Sequence, residues 1–240
     1  MDSRSVGLAS LYGALVLLSP EESYAHLAHP GYSGLISTPN AEVLPQGKLA
    51  LNFSWVEGSQ TYLFSPNTNR LYIVTVGILP GLEGTLRQTQ VIAWHDPDAP
   101  GVQHAFDRMF SAKYKLPMPI HFPSLAIGVQ DIASVNFLSG VTDINAGATQ
   151  YGQSTYYGVL GASHGTWDWH LGFGISQKFI NGFFGGMTYR LFERLNILGE
   201  WDSKQVNWGI RYTPVESWWL QTSGIGSDTW GLSFGASLAL

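Results

Sequence analysis

The sequence predicts an all-β fold, a closed antiparallel transmembrane β-barrel of about twelve strands that follows a cleavable signal peptide. Three observations predict it. Apolar and small or polar residues alternate with period two from residue 48 to the last residue, only 12% of the chain is charged, and the face opposite the apolar one is built mainly from Gly, Ser, Ala, Asn and Gln.

Period-two alternation places successive side chains on opposite faces of a strand. The clearest instance is Trp167 to Gln177, where Trp167, Trp169, Leu171, Phe173 and Ile175 share one face and Asp168, His170, Gly172, Gly174 and Ser176 the other. The same pattern runs through Lys48 to Trp55, Gly182 to Leu191, Gln205 to Tyr212 and Trp230 to Leu240. Weaker alternation predicts strands over Asn69 to Ile78, Leu82 to Trp94, Phe106 to Leu116, Ser124 to Asp131, Ser154 to Ser163, Leu195 to Asp202 and Ser217 to Ser223. The resulting even count is what a closed antiparallel bacterial barrel requires.

The scarcity of charge and the composition of the second face decide between lipid and a soluble core. An average soluble domain carries about 25% charged residues. A soluble sandwich turns its outer face to water and tends to carry Lys, Glu and Thr there, whereas the small, weakly charged face here suits a confined lumen. Trp55, Trp94, Trp167, Trp201, Trp218, Trp219 and Trp230 sit near predicted strand ends, as in an interfacial girdle. Tight connections at Leu79-Pro80-Gly81, Gly165, Phe192-Glu193-Arg194 and Thr213-Pro214-Val215 contrast with long ones over 57–68, 94–105 and 132–153, so short turns are expected on one rim and long loops on the other.

The remaining organisation is simple. Residues 1–25 read as an export signal, with Arg4, an apolar run from Val6 to Leu18 and Ser23-Tyr24-Ala25 as the cleavage site. Residues 26–47 form an N-terminal segment and 48–240 the barrel, located in a bacterial outer membrane. Beyond the N-terminus no stretch provides the roughly 18 apolar residues of a membrane helix. A net charge of -5 without basic runs argues against nucleic acid, and the absence of Cys excludes disulfides, thiolate metal sites and a lipidated cysteine. The seven His residues show no ligand spacing of the HExxH kind, so no metal or other cofactor is expected.

Charge on the barrel wall should point inward, because unpaired charge facing lipid is costly. The lumen-lining polar candidates are Glu83, Arg87, Lys113, Lys115, Asp131, Asp168, His170, Arg190, Glu200 and Arg211. They are expected to plug the barrel through mutual pairs or to contact a polar polymer passing through it. Gly172, Gly174, Gly185 and Gly186 are expected to mark a bent wall. No catalytic centre is assigned: Asp168 could orient His170, but Ser176 lies about 20 Å from His170 along the same strand, beyond the reach of a base.

The segment Gly31-Tyr32-Ser33-Gly34-Leu35-Ile36-Ser37-Thr38-Pro39-Asn40-Ala41 resembles the G-x-x-G-L-I-x-T-P-x-A opening of the YjbH-like outer-membrane proteins. Two further stretches, Phe106-Asp107 through Ala112-Lys113-Tyr114 and Pro123 through Ile132, are similar to that family in order and spacing. On these motifs the resemblance extends from about residue 31 to the end of the chain. It implies a non-enzymatic role in secreting or maturing exopolysaccharide, with outer-membrane lipid, polysaccharide and periplasmic export proteins as partners. The residues by themselves leave open a general small-solute porin and a barrel-embedded hydrolase using Asp168 and His170.

Overall fold

The computed structural model describes residues 25–58, 68–93, 103–119, 123–132, 154–176 and 179–240. All of the expected export signal but Ala25, together with Trp94 and most of the long connections, lies outside the described residues. Twelve strands form one closed antiparallel barrel: β1 (Lys48–Gly58), β2 (Thr68–Leu79), β3 (Leu82–Ala93), β4 (Gln103–Lys115), β5 (Ser124–Gln130), β6 (Thr155–His164), β7 (Trp167–Ile175), β8 (Gly182–Phe192), β9 (Leu195–Trp201), β10 (Val206–Val215), β11 (Trp218–Ile225) and β12 (Thr229–Ala239). Each strand pairs with the next, and β1 closes on β12 in register from Lys48↔Ala239 to Gly58↔Thr229. Closure leaves no free sheet edge between first and last strand, which is the condition for a sheet in a medium that offers no hydrogen bonds.

Alternation sorts the two faces with the polarity of a soluble protein reversed. On β7 the apolar residues Trp167, Trp169, Leu171, Phe173 and Ile175 are exposed, and His170, Gly172 and Gly174 between them are buried. On β12 Trp230, Leu232 and Phe234 face out and Ser233 faces in, and β10 and β11 repeat the arrangement with Trp208, Ile210, Tyr212, Trp218 and Leu220 outside and Asn207, Arg211, Gln221 and Ser223 inside. An apolar surface continuous around a closed barrel greatly exceeds the few hundred Å² that a soluble monomer exposes, so hydrocarbon is its solvent. Trp167 and Trp218 stand next to tight turns, whereas Trp55, Trp201 and Trp230 stand toward the opposite rim, forming the two belts.

Two expectations need correction. Trp219 does not belong to the girdle: it follows Trp218 directly, so period two turns it inward, where it is buried against His26 and over Gly235. Asp131, counted among the inward candidates, is buried although it lies one position beyond β5, and a left-handed backbone (φ 61°) is what turns it in. Loop length separates the rims only on one side of the barrel. The long connections join β1 to β2, β3 to β4 and β5 to β6, while on the same rim β7–β8, β9–β10 and β11–β12 are joined by short segments; on the tight-turn rim the β4–β5 connection spans 116–123.

The lumen is filled. Residues 25–47 fold inside the barrel as a compact segment held by the bridges Leu27↔Ser33 and Gly34↔Pro39. Its Leu27, Leu35, Ile36 and Leu44 form one buried cluster with Ala50, Val56, Leu71, Ile73, Leu198 and Trp219 of the wall. A second cluster joins Ala41 to Ala126, Tyr157, Val159, Ile180 and Phe184. The inner wall thus carries the two halves of a small hydrophobic core as well as polar groups.

Candidate functional site

The N-terminal segment occupies the lumen through its main chain, and the motif residues explain how. Gly31 has φ +110°, a conformation that L side chains rarely adopt, and a Cβ at Gly34 would run into the carbonyl oxygen of Thr38. The two glycines therefore fix a doubled-back path that leaves backbone N–H and C=O groups pointing at the wall. Buried backbone groups must find partners.

Two carboxylates collect the donors. Glu200 of β9 accepts from the N–H groups of Ile36 (3.1 Å), Ser37 (2.7 Å) and Thr38 (3.2 Å), and from the Thr38 hydroxyl (2.7 Å). The Asn207 amide of β10 donates to the same carboxylate (2.8 Å) and to Asp202 (2.9 Å). Glu83 of β3 accepts from the Ser33 N–H (3.0 Å), the Ser33 hydroxyl and the Leu44 N–H (2.8 Å).

Two cations collect the acceptors. Lys113 of β4, cross-strand partner of Glu83, lies 3.2 Å from that carboxylate and donates to the carbonyls of Ser33 (2.7 Å) and Asn40 (3.3 Å). Arg211 of β10 donates to the carbonyls of Gly34 (3.2 Å) and Leu35 (2.9 Å) and to Gln221 (2.8 Å). Glu83, Lys113, Glu200 and Arg211 are all buried. The segment is gripped from the β3–β4 wall and from the β9–β10 wall by charge-assisted hydrogen bonds, which are about twice as strong as neutral ones.

Histidines complete the hold. The Thr38 hydroxyl spends its one proton on Glu200, so the His170 Nε2, at 2.9 Å, must be the donor to it. His29 of the segment contacts Ser223 through Nε2 (2.9 Å) and Ser233 through Nδ1 (3.3 Å), with Ser54 and Asn52 extending the chain. A neutral ring serves this chain with one donor and one acceptor. Burial, with Arg211 nearby, lowers the His29 pKa to about 4, and the same causes lower His26. The carbonyl of Gly31 is taken by the Thr75 hydroxyl (3.0 Å).

The remaining candidates take lesser places. Lys115, half-buried, reaches Glu42 at 2.6 Å. Arg87 is buried beside Gly31, and Asp131 receives Ser154 on its carbonyl. Asp168 and Arg190 lie partly exposed toward the 165–166 turn. Gly172 and Gly174 stand where Phe184 and Ile180 press inward, and Gly186 lies against Glu200 and His170. Sequence reasoning did not place the N-terminal segment in the lumen, nor did it single out the segment's own His29, Ser33 and Thr38, or Asn207, which bonds Glu200 and Asp202. A signal did exist: Glu200 faces Gly186 and Asn207, and Arg211 faces Asn196 and Gln221, so these inward charges have no opposite charge across the strand and need a partner from elsewhere.

No metal-ligating cluster of three His, Asp or Glu residues occurs among the described residues. The arrangement binds a polypeptide segment and occludes a lumen.

The family model of YjbH, described as exopolysaccharide biosynthesis protein YbjH, matches residues 27–141. It takes in the lumenal segment and the strands through β5; the later strands lie outside it, so the match is shorter than the motifs lead one to expect. No curated protein matches the sequence. Among solved structures the chain is similar to a KdgM porin (10% identity, TM-score 0.51, 80% of this chain and 99% of that one). It is also similar to an outer membrane channel from Pseudomonas putida F1 (12% identity, TM-score 0.45, 85% and 100%) and to outer membrane phospholipase A from Escherichia coli (9%, TM-score 0.44, 81% and 97%). The chain is therefore an outer-membrane β-barrel of porin-like fold whose lumenal segment and first strands match the YjbH family.

Proposed function

We propose that this barrel assists exopolysaccharide export or maturation without being an enzyme or a general pore. The single observation that carries the proposal is the lumenal segment, gripped by Glu83, Lys113, Glu200 and Arg211 at the place where a diffusion channel needs open water. The exopolysaccharide assignment rests on the description of the matching family. His170 donates to Thr38 within this grip, which supports a positioning role over that of a base paired with Asp168. Polysaccharide and periplasmic export proteins are the proposed partners.

Purified barrel in planar bilayers tests the closed state: absence of steady current is expected, and a large ohmic conductance would favour a small-solute porin instead. In cells, deletion is expected to lower surface exopolysaccharide while leaving small-solute uptake unchanged. Unchanged polysaccharide would refute the assignment.

A further inference from the structure

The outward face of the barrel is uneven at one place. In register, Ala112 of β4 faces Val129 of β5, and Gly158 of β6 lies one residue along in the next outward row, opposite Ile127 and Phe173. These small residues make a depression of about 610 Å³ walled by Tyr114, Tyr156 and Phe173. Its lining is almost wholly apolar, and a Cβ at Gly158 would meet nothing within 4 Å, so the floor is open space rather than a packed contact.

Its position identifies the occupant. The walls belong to the exposed apolar band, with Tyr114, Tyr156 and Phe173 all facing out. The medium that reaches the depression is therefore hydrocarbon, and an unfilled void would forfeit dispersion contacts along every wall. The depression also lies where the wall is thinnest in pairing: β4 and β5 are in register only from Ala112↔Val129 to Lys115↔Ala126, whereas β3 and β4 pair from Leu82↔Tyr114 to Ala93↔Gln103. A chain lying there would cover the shortest seam among the described strands.

We propose that this depression is a fixed seat for one acyl chain of a membrane lipid, distinct from the fluid lipid belt that surrounds the rest of the barrel. The depression's outward lining passes from Ala112 of β4 through Ile127 of β5 and Gly158 of β6 to Phe173 of β7, an apolar path that a linear hydrocarbon can follow. A folded protein partner would have to enter the apolar layer to reach it.

The test is photolabelling in vesicles of phosphatidylethanolamine that contain a trace of the same lipid with a photoreactive group at mid-chain. Labels are expected to concentrate on Tyr114, Tyr156 and Phe173 over outward residues elsewhere, such as Leu220 of β11. Gly158→Trp, which fills the floor, should reduce labelling at the groove several-fold and leave Leu220 unchanged. Even labelling around the belt, undiminished groove labelling in Gly158→Trp, or crosslinks in the groove to a second copy of the chain would each overturn the proposal. If Gly158→Trp loses the heat-modifiable migration of a folded barrel, Ala112→Phe makes the same test from the neighbouring floor position.

Discussion

Removing the Glu200 carboxylate should loosen the lumenal segment without unfolding the barrel. Glu200→Ala strips the acceptor from the N–H groups of Ile36, Ser37 and Thr38, all of which then remain buried. Each orphaned donor costs about 1–3 kcal/mol, and water entering the space left by the side chain moves the total toward the lower bound, about 3 kcal/mol. At 1.4 kcal/mol per factor of ten, the fraction of barrels with a released segment rises by about 150-fold. Adding Glu83→Ala frees the Ser33 and Leu44 N–H groups and leaves Lys113 buried without its carboxylate, a loss of about 3–5 kcal/mol. The two carboxylates act on one segment, so the double variant should open far more often than either single one. Glu200→Gln keeps one acceptor oxygen and should fall between wild type and Glu200→Ala. Single-channel recording reads the result as opening frequency, and heat-modifiable migration reports whether the wall stays closed. A double variant with native migration that stays as tightly sealed as the wild type would refute the reading that these carboxylates hold the segment.

Two further outcomes follow from the same structure. Acid should loosen the segment through His29, which lies outside the strands: its pKa is lowered from 6.5 to about 4, so its contribution is complete above pH 6.5 and is lost as pH falls from 6.5 to 4. The loss reaches at most about 3 kcal/mol; protease accessibility of the segment should rise over that window and rise less in His29→Gln, and an identical acid response in the variant would exclude His29 as the cause. Leu171→Arg, at the middle of β7 on the outward face, should destabilise the folded barrel in vesicles by about 2–4 kcal/mol as measured by denaturant unfolding. A negligible change would mean that this face does not meet hydrocarbon.

The barrel was legible in the sequence because its information is local. In a strand the face of a residue follows from its parity, and the medium follows from what stands on each face, so Trp167, Trp169, Leu171, Phe173 and Ile175 declare both at once. Where two tryptophans stand side by side the girdle reading fails: Trp219 follows Trp218 and must turn inward. Strand ends shifted by up to three residues, since the last pair of a ladder depends on the neighbouring strand.

The sequence by itself determined a lipid-facing sheet, its strand count and the inward placement of Glu83, Lys113, Glu200 and Arg211. Only the tertiary structure decided what those charges meet. Their partners are main-chain groups of residues 31–44, and every residue but proline carries the same N–H and C=O, so no side-chain pattern announces which of them will turn toward a carboxylate 40 to 170 residues away. Whether the lumen is open or filled is set by that long-range pairing, and with it the difference between a pore and a sealed barrel.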